Sequence, residues 1–542
     1  MTSAQNTYFR SDSSRTEPEV IEERLNHIFG HSDEVMAHEQ EIEARVSKIV
    51  NDFLSETGTS SEVGFQSLQA SFKQSRIPAD PAGAEGYLDY LASNVISHST
   101  RTSSPRFIGH MTSALPYFVR PLARLMTAMN QNVVKTETSK AFTPYEREAL
   151  AMIHRLIYNF SDGFYDQHIQ QRESTLGMVV GGGTLANITA LWCARNSALR
   201  ANNDFSGIEK EGLLAALEFY GYTGAVVIGS ALMHYSFEKA ADTMGIGTRN
   251  IIKIPVDGAN RINLQALKQA VSDCQSRNKL IIAIVGVAGT TDFGSIDPLS
   301  EMAEIAGEAN IHFHVDAAWG GPVLFSERHR RKLAGLDKAD SVTIDGHKQM
   351  YLPMGIGMVL LRDPHKACFI EKQARYIVRP GSHDLGKRSL EGSRPSMALF
   401  LHAALNIVGR KGYEFLIVES IRKAKYMADL LRTRPEFELL TEPEINILTY
   451  RYVPPALREK AEKKELTDAD NHEINKFNVG LQKAQREAGR TFVSRTLWNT
   501  SQYGSDLPIV ALRVVIANPL TTERDIDVVL NDQIEIAAGL IS

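Results

Sequence analysis

Two stretches of this chain carry residue types that can do chemistry together. In "HVDAAWGG", 314–321, Asp316 closes a hydrophobic run; in "SVTIDGHKQM", 341–350, the pair His347-Lys348 follows a second one. An aspartate at a strand end is often a turn former or a helix cap, and a lysine after a turn is often plain surface. The sharper reading is that the two grip one small molecule from two sides. A lysine can form a Schiff base with an aldehyde when part of it is unprotonated. A neighbouring cation and a partly desolvated cleft favour that form.

Other residues extend the pattern. Gly181, Gly182 and Gly183 precede a helical run, with Thr184 near its N-cap. Such a turn offers backbone N–H groups and the positive end of a helix dipole to an anion. It is neither G-x-G-x-x-G nor a P-loop, since the Lys-Ser/Thr is missing. "GTTDFGSIDP", 289–298, follows the most apolar run and brings Thr290 and Thr291 to a strand end. His234 opens "HYSFEKA" after the run "AVVIGS" and could stack on a flat ring; a lone histidine is usually structural. His312, His314 and Asp316 share one face of their strand. Together these residues meet the demands of pyridoxal phosphate: an anion cradle (Gly182, Gly183, Thr184), a carboxylate for the pyridine nitrogen (Asp316), a ring-stacking group (His234) and an imine lysine (Lys348). The carboxylate keeps the ring nitrogen protonated, which makes the ring an electron sink.

The elements that must position these residues are legible from the pattern. With 542 residues and 43% hydrophobic content, the chain can bury a sizeable core. Its net charge of −5 does not favour nucleic acid as a partner. Cys193, Cys274 and Cys368 fit neither a metal spacing nor a disulfide framework, which suits a reducing cytoplasm. The polar N-terminus has no signal-peptide core, and a lead of about twenty residues is expected to be disordered. The longest apolar run, "LIIAIVGVAG", 280–289, is too short to span a membrane and reads as a strand buried on both faces. Ile42, Val46, Ile49 and Phe53 recur at helical spacing with one face to bury. Helices are also expected over 121–132 and 144–158. From the glycine turn onward, strands and helices alternate with short links through "AVVIGS", "NIIKIPV", "LIIAIVGV" and "IHFHVDA", with a further strand over 355–361. That alternation predicts an α/β fold with a mostly parallel sheet covered by helices. After Ser393, helical runs over 395–409 and 412–432, strands near 444–453 and 508–517, and a final helix from Thr522 predict a smaller α+β unit. The run 458–473 reads as a solvated loop or helix face. The organisation expected is a helical N-terminal segment (1–105), a large cofactor-binding domain (106–392) and a small C-terminal domain (393–542).

From about Phe107 onward, "HYSFEKA", "GTTDFGSIDP", "HVDAAWGG", "SVTIDGHK" and "RVVIANPLTTERDID" resemble, in order, blocks of the group II pyridoxal-phosphate decarboxylases. The resemblance implies fold type I and a homodimer with its active site at the subunit interface. It implies Lys348 as the imine lysine, Asp316 as the pyridinium partner, His234 as the ring-stacker and Ala318 on the other ring face. Gly183, Thr184, Leu185 and His347 would serve the phosphate, and Asn187 and Thr290 would lie near the cofactor. Many members carry a tyrosine on a mobile loop that protonates the α-carbon. Here the matching segment, "GSHDLGKRSLEGSR", aligns His383 with that position, and histidine can do the same acid work near neutral pH; Tyr376 or water is the alternative. Arg394, in the basic stretch 371–394, is the expected clamp for a substrate carboxylate, with His110 beside it. The expected reaction is α-decarboxylation of an acidic amino acid, aspartate ahead of glutamate or cysteine sulfinate. A carbon–carbon lyase of the same fold is the more distant alternative.

Overall fold

A computed structural model describes residues 17–79, 83–374, 381–499 and 507–541. Its centre is a seven-stranded sheet: β1 (Gly177–Val180), β2 (Gly224–Ser230), β3 (Ile251–Ile254), β4 (Lys279–Val287), β5 (Phe313–Asp316), β6 (Ser341–Asp345) and β7 (Gly357–Leu361), in the order β1-β7-β6-β5-β4-β2-β3. β7 runs antiparallel to both neighbours and the other pairings are parallel. Two reversals cancel, so β1 points the same way as β6. The carboxyl ends of β1, β2, β4, β5 and β6 therefore share one edge.

Burial on both faces follows from the Val/Ile-dense strands. In β2, Val226 and Ile228 enter one core while Ala225 and Val227 enter the other. The first core is closed by the helices Phe142–Tyr158, Leu264–Ser276 and Leu299–Glu308, through Leu150, Ile153, Leu267, Val271, Met302 and Ile305. The second is closed by Gly183–Ala198 and Ser236–Thr243, through Leu191, Ala194, Phe237 and Ala240.

A second sheet holds β8 (Phe437–Thr441), β9 (Ile447–Tyr452), β10 (Ser494–Trp498) and β11 (Ile509–Val515), all antiparallel, in the order β10-β11-β9-β8. Helices Gly409–Thr433, Asp468–Ala488 and Glu523–Ile541 cover it. Three details depart from the sequence reading. The helix Ala398–Ile407 puts Phe400 and Leu401 into the core of the large sheet, so the chain past Ser393 still builds that unit. Ile108 packs among the residues of the second sheet, and its backbone pairs with Phe492 and Val515. The run 458–473 takes the helical of the two forms expected: Thr467 and Asp470 form a capping box that starts the 21-residue helix Asp468–Ala488. Helix Glu17–Phe29 already begins within the lead expected to be disordered, whose residues 1–16 lie outside the described ones.

The helix Asp33–Ser55 forms as its periodicity predicts, and Ser32 caps it. Its apolar stripe is only partly covered by the described residues: none of its residues is fully buried, and Met36 and Val46 stand 45% and 39% exposed.

The two sheets are tied by a buried polar hub. Asn446 accepts from Trp319 Nε1 at 3.0 Å and donates to Gln349 Oε1 at 2.8 Å; Gln349 in turn donates to the Trp319 carbonyl at 2.7 Å. One asparagine thus fixes the loops that follow β5 and β6 against the C-terminal unit. Asn446→Leu leaves the Trp319 and Gln349 groups unpaired in a dry site, at about 1–3 kcal/mol per orphaned group. A lowered urea midpoint with an unchanged m-value is expected; an unaltered midpoint would remove the hub from the account.

Candidate active site

The shared edge collects the residues expected from the sequence. After β1, the chain turns at Gly182 (φ +141°) into the helix Gly183–Ala198. Two missing side chains matter here. A Cβ on Gly182 would lie 3.3 Å from His347 Cε1, and one on Gly183 would meet Asp345 Oδ2 at 2.8 Å. The turn can therefore sit on the loop after β6 and still leave its first-turn N–H groups, including those of Thr184 and Leu185, open to an anion.

After β5, Asp316 is 6% exposed. Its Oδ1 accepts from the Ala318 backbone at 3.1 Å and its Oδ2 from Asn187 Nδ2 at 2.9 Å. Asn187 comes from the helix Gly183–Ala198, one turn beyond the glycines, so one helix serves both ends of the site. A chain of hydrogen bonds fixes its amide. His314 Nε2 lies 3.0 Å from Asn187 Oδ1, which must accept because Nδ2 donates to Asp316 and to Ser236 Oγ. His314 Nδ1 therefore accepts from Ser341 Oγ at 2.8 Å, and His312 reaches the same hydroxyl at 2.8 Å. Burial pushes the His314 pKa down to about 4, so this neutral tautomer holds. The alternation of His312, His314 and Asp316 along one strand face thus builds the carboxylate and its support together.

After β6, His347 donates from Nδ1 to the Ile356 carbonyl at 2.9 Å, and Lys348 Nζ lies 3.0 Å from Asp345 Oδ2. Tyr351 is held in the left-handed region (φ +58°), unusual for a bulky side chain, by its hydroxyl on the Ala517 carbonyl at 2.9 Å. The lysine loop is thereby anchored to the C-terminal unit. His234, after β2, accepts from the Ser236 backbone at 3.2 Å. Burial lowers its pKa most, Asp316 opposes that and Lys348 adds to it, so the ring feels both charges.

Two expectations are corrected, and a third is not met within one chain. Arg394 is not presented as a clamp. Its guanidinium forms a two-pronged pair with Glu146, 2.9 Å for Nη1–Oε2, and the two side chains are only 8% and 1% exposed. Its charge is spent inside the chain. Thr290 is fully buried with its hydroxyl on Ser295 Oγ at 2.8 Å, so it shapes its own turn and presents nothing to the edge. His383 is exposed and feels Arg147, Lys387 and Arg172. Arg172 and Glu173 precede β1, whereas the glycine turn follows it, so within one chain His383 sits at the opposite end of the sheet from Lys348. Tyr376, the alternative acid, lies outside the described residues, as do Arg375 and Arg379.

One residue escaped the sequence reading. Arg513, on β11, is 6% exposed. Its Nε donates to the Thr291 carbonyl at 2.6 Å and its Nη1 reaches Ser494 Oγ at 3.2 Å, while the buried Nη2 has no hydrogen-bond partner among the described residues. Burial lowers its pKa to about 10, which still leaves it charged at neutral pH. His110 ties it to the site: burial, then Arg513, then Lys348 lower the pKa of that histidine. A buried guanidinium with a free donor, sharing His110 as a neighbour with Lys348, has the chemistry to receive a carboxylate. The signal available was a charged residue in the otherwise apolar strand "IVALRVV". A cavity of about 670 Å³, lined by Phe53, Leu115, Tyr117, His347, Tyr351 and Met354 among others, opens from the lysine loop toward the N-terminal helices.

The arrangement fits a phosphorylated aromatic aldehyde. A side-chain-free turn at a helix N-terminus suits the phosphate, a supported carboxylate suits a ring nitrogen, and an amine is at hand. Comparison with known proteins agrees. The family described as "Pyridoxal-dependent decarboxylase conserved domain" matches residues 71–453. The chain is 48% identical over 502 residues to the aspartate 1-decarboxylase of Aliivibrio fischeri, covering 92% of this chain and 91% of that one. It is 29% identical over 392 residues to the acidic amino acid decarboxylase GADL1 of Mus musculus, covering 71% and 66%. The crystal structure of mouse CSAD superposes with a TM-score of 0.81 at 23% identity over 94% of this chain and 99% of that one, which shows the shared fold.

Gly183→Ala drives a methyl group into Asp345 under the anion cradle. The cofactor affinity, followed by the yellow colour on titration, is expected to drop at least tenfold, about 1.4 kcal/mol, with the far-ultraviolet circular dichroism unchanged. Wild-type affinity would mean that the close contact does not shape the cradle.

Proposed function

Because the chain belongs to the pyridoxal-dependent decarboxylase family, we propose that it removes the α-carboxylate of an acidic L-amino acid, first of all L-aspartate, to give β-alanine and carbon dioxide. The cofactor is pyridoxal 5'-phosphate. The residues that would hold it are Lys348, Asp316 with Asn187 and the Ala318 N–H behind it, His234, and the first turn of the helix Gly183–Ala198 with His347. Bound there, it supplies the electron sink for the pair left when carbon dioxide departs. Asp316 keeps the ring nitrogen protonated, and its two fixed donors hold the carboxylate in place. Lys348 contributes the amine that anchors the aldehyde carbon.

The observation that carries the substrate class is Arg513 Nη2, a buried and unpartnered donor. It would take a substrate carboxylate, with His110 beside it. Aspartate ahead of glutamate or cysteine sulfinate rests on the extent of similarity to the Aliivibrio fischeri enzyme, since one methylene discriminates by only about 1–3 kcal/mol. Purified protein with added cofactor should release β-alanine and carbon dioxide from L-aspartate. Arg513→Met should lower kcat/KM by about a hundredfold or more, close to 3 kcal/mol. Faster decarboxylation of tyrosine or dopa than of any acidic amino acid would overturn this reading of the pocket.

The reading includes a homodimer. Its support is the only partly covered apolar stripe of the helix Asp33–Ser55 and the cavity that opens between that helix and His347. A second copy is also the route by which His383 could reach a reacting α-carbon, because within one chain it lies at the far end of the sheet. Light scattering at micromolar concentration should give twice the chain mass; a monomer that decarboxylates at the full rate would refute the shared site. No described helix is long and apolar enough to cross a membrane. The free cysteines suit a reducing cytoplasm.

A further inference from the structure

Asp345 closes β6 and is 2% exposed. One of its oxygens serves two titratable neighbours: Oδ2 lies 3.0 Å from Lys348 Nζ and 3.6 Å from His347 Nε2. The other, Oδ1, has no hydrogen-bond partner among the described residues. Two glycines press on the group. A Cβ on Gly183 would meet Oδ2 at 2.8 Å, and one on Gly357 would meet Oδ1 at 2.8 Å. The carboxylate cannot turn away to water, so it needs a cation beside it at all times. While Lys348 is free of the cofactor, that cation is its ammonium, 3.0 Å away. Yet Lys348 must lose a proton before its amine can add to an aldehyde. Asp345 would then be a buried charge without a counter-charge.

His347 is placed to take over. Its Nδ1–H donates to the Ile356 carbonyl, so in the neutral ring the lone pair is on Nε2, facing Oδ2. The two acceptors face each other at ion-pair distance, so a proton added to Nε2 would be favoured by the Asp345 charge. We propose that Asp345 is a positioning residue with two partners in turn. It holds Lys348 as an ammonium while that side chain is free, and when the Nζ–H bond breaks, the electron pair stays on nitrogen as the amine lone pair and the proton is kept on His347 Nε2 against Asp345. The proposal rests on the reading of Lys348 as the cofactor lysine.

The exchange has a consequence for the anion cradle. His347 Cε1 lies against Gly182, at the N-terminus of the helix Gly183–Ala198. A positive charge would therefore appear beside the cradle as the amine becomes reactive, and a phosphate would favour both changes together. The electrostatics run the same way: burial and the Lys348 charge keep the His347 imidazole neutral, while Asp345 and the bond to Ile356 favour its protonation. Removing the Lys348 charge tips that balance. The other charged or titratable groups near this region are Glu56, which is bridged to Arg101, and Arg120, both lining the cavity that His347 reaches; Glu391, which accepts from the Gly181 N–H at 3.3 Å beside the cradle; Asp316 and His234 across the edge; and His110, which feels the Lys348 charge.

The test uses the cofactor-free full chain with histidine labelled at Cε1, read by nuclear magnetic resonance across a pH series, with His347→Asn assigning the signal. Lys348→Met removes the ammonium and leaves the anion, so the His347 midpoint should rise by about one pH unit or more relative to wild type. In Lys348→Met/Asp345→Asn the rise should vanish. Lys348→Ala repeats the comparison should the methionine variant fold poorly. A His347 midpoint that does not move in either lysine variant, or a rise that survives Asp345→Asn, would overturn the proposal. No cofactor or substrate is present, so that outcome leaves the decarboxylase reading standing. Conversely, failure to release carbon dioxide from any amino acid would sink that reading without altering the titration.

Discussion

The parallel pairing of β5 with β6 is the constraint on which the site depends. Backbone hydrogen bonds set Asp316 level with Thr343, so β5 ends two residues short of the end of β6, at Asp345. Asp316 and the loop bearing Lys348 then leave the sheet side by side. An antiparallel pairing of the same two strands would put them at opposite ends. The parallel pairings of β2 with β4 and of β4 with β5, and the two reversals through β7, deliver β1, β2 and β4 to the same edge. The site is in this sense a property of sheet direction before it is a property of any side chain.

Charge burial is the second theme. Asp316, Asp345 and Arg513 are each nearly inaccessible, and each is handled differently. Asp316 has two fixed neutral donors, which leave it charged and correctly aimed. Asp345 has cations and a glycine floor, which leave it dependent on them. Arg513 has backbone and hydroxyl acceptors on one side and a vacant donor on the other. A satisfied buried charge rigidifies, whereas an incompletely satisfied one is a poised receptor or a proton store. Arg394 shows the contrast, since its pairing with Glu146 leaves it nothing to offer.

The C-terminal unit is more than a cover. It contributes Arg513, anchors Tyr351 through Ala517 and locks the loops after β5 and β6 through Asn446. The N-terminal segment reaches the same region, because Gly109 accepts from Arg513 and Ile108 joins the core of the second sheet. Three parts of the chain far apart in sequence thus meet beside the loop that bears Lys348.

What the sequence determined by itself was local. The Val/Ile runs fixed the central strands because burial on both faces leaves no polar alternation. The glycine turn was legible because few residues other than glycine accept the conformation at Gly182. Asp316, His234 and the His347-Lys348 pair were legible because each directly follows or ends such a run, where parallel sheets put ligands. Short or half-exposed strands such as β8 and β10 were missed, since five residues without a clean apolar pattern resemble a loop. Partnership was what only the tertiary structure decided. Nothing in "EGSR" announces that Arg394 will meet Glu146 from a helix some 250 residues earlier, and nothing in "IVALRVV" announces that Arg513 will find too few acceptors. A charged side chain reads the same in sequence whether it is neutralised or left open. The difference is made by long-range contacts, and those exist only once the sheet has set the ends of its strands side by side.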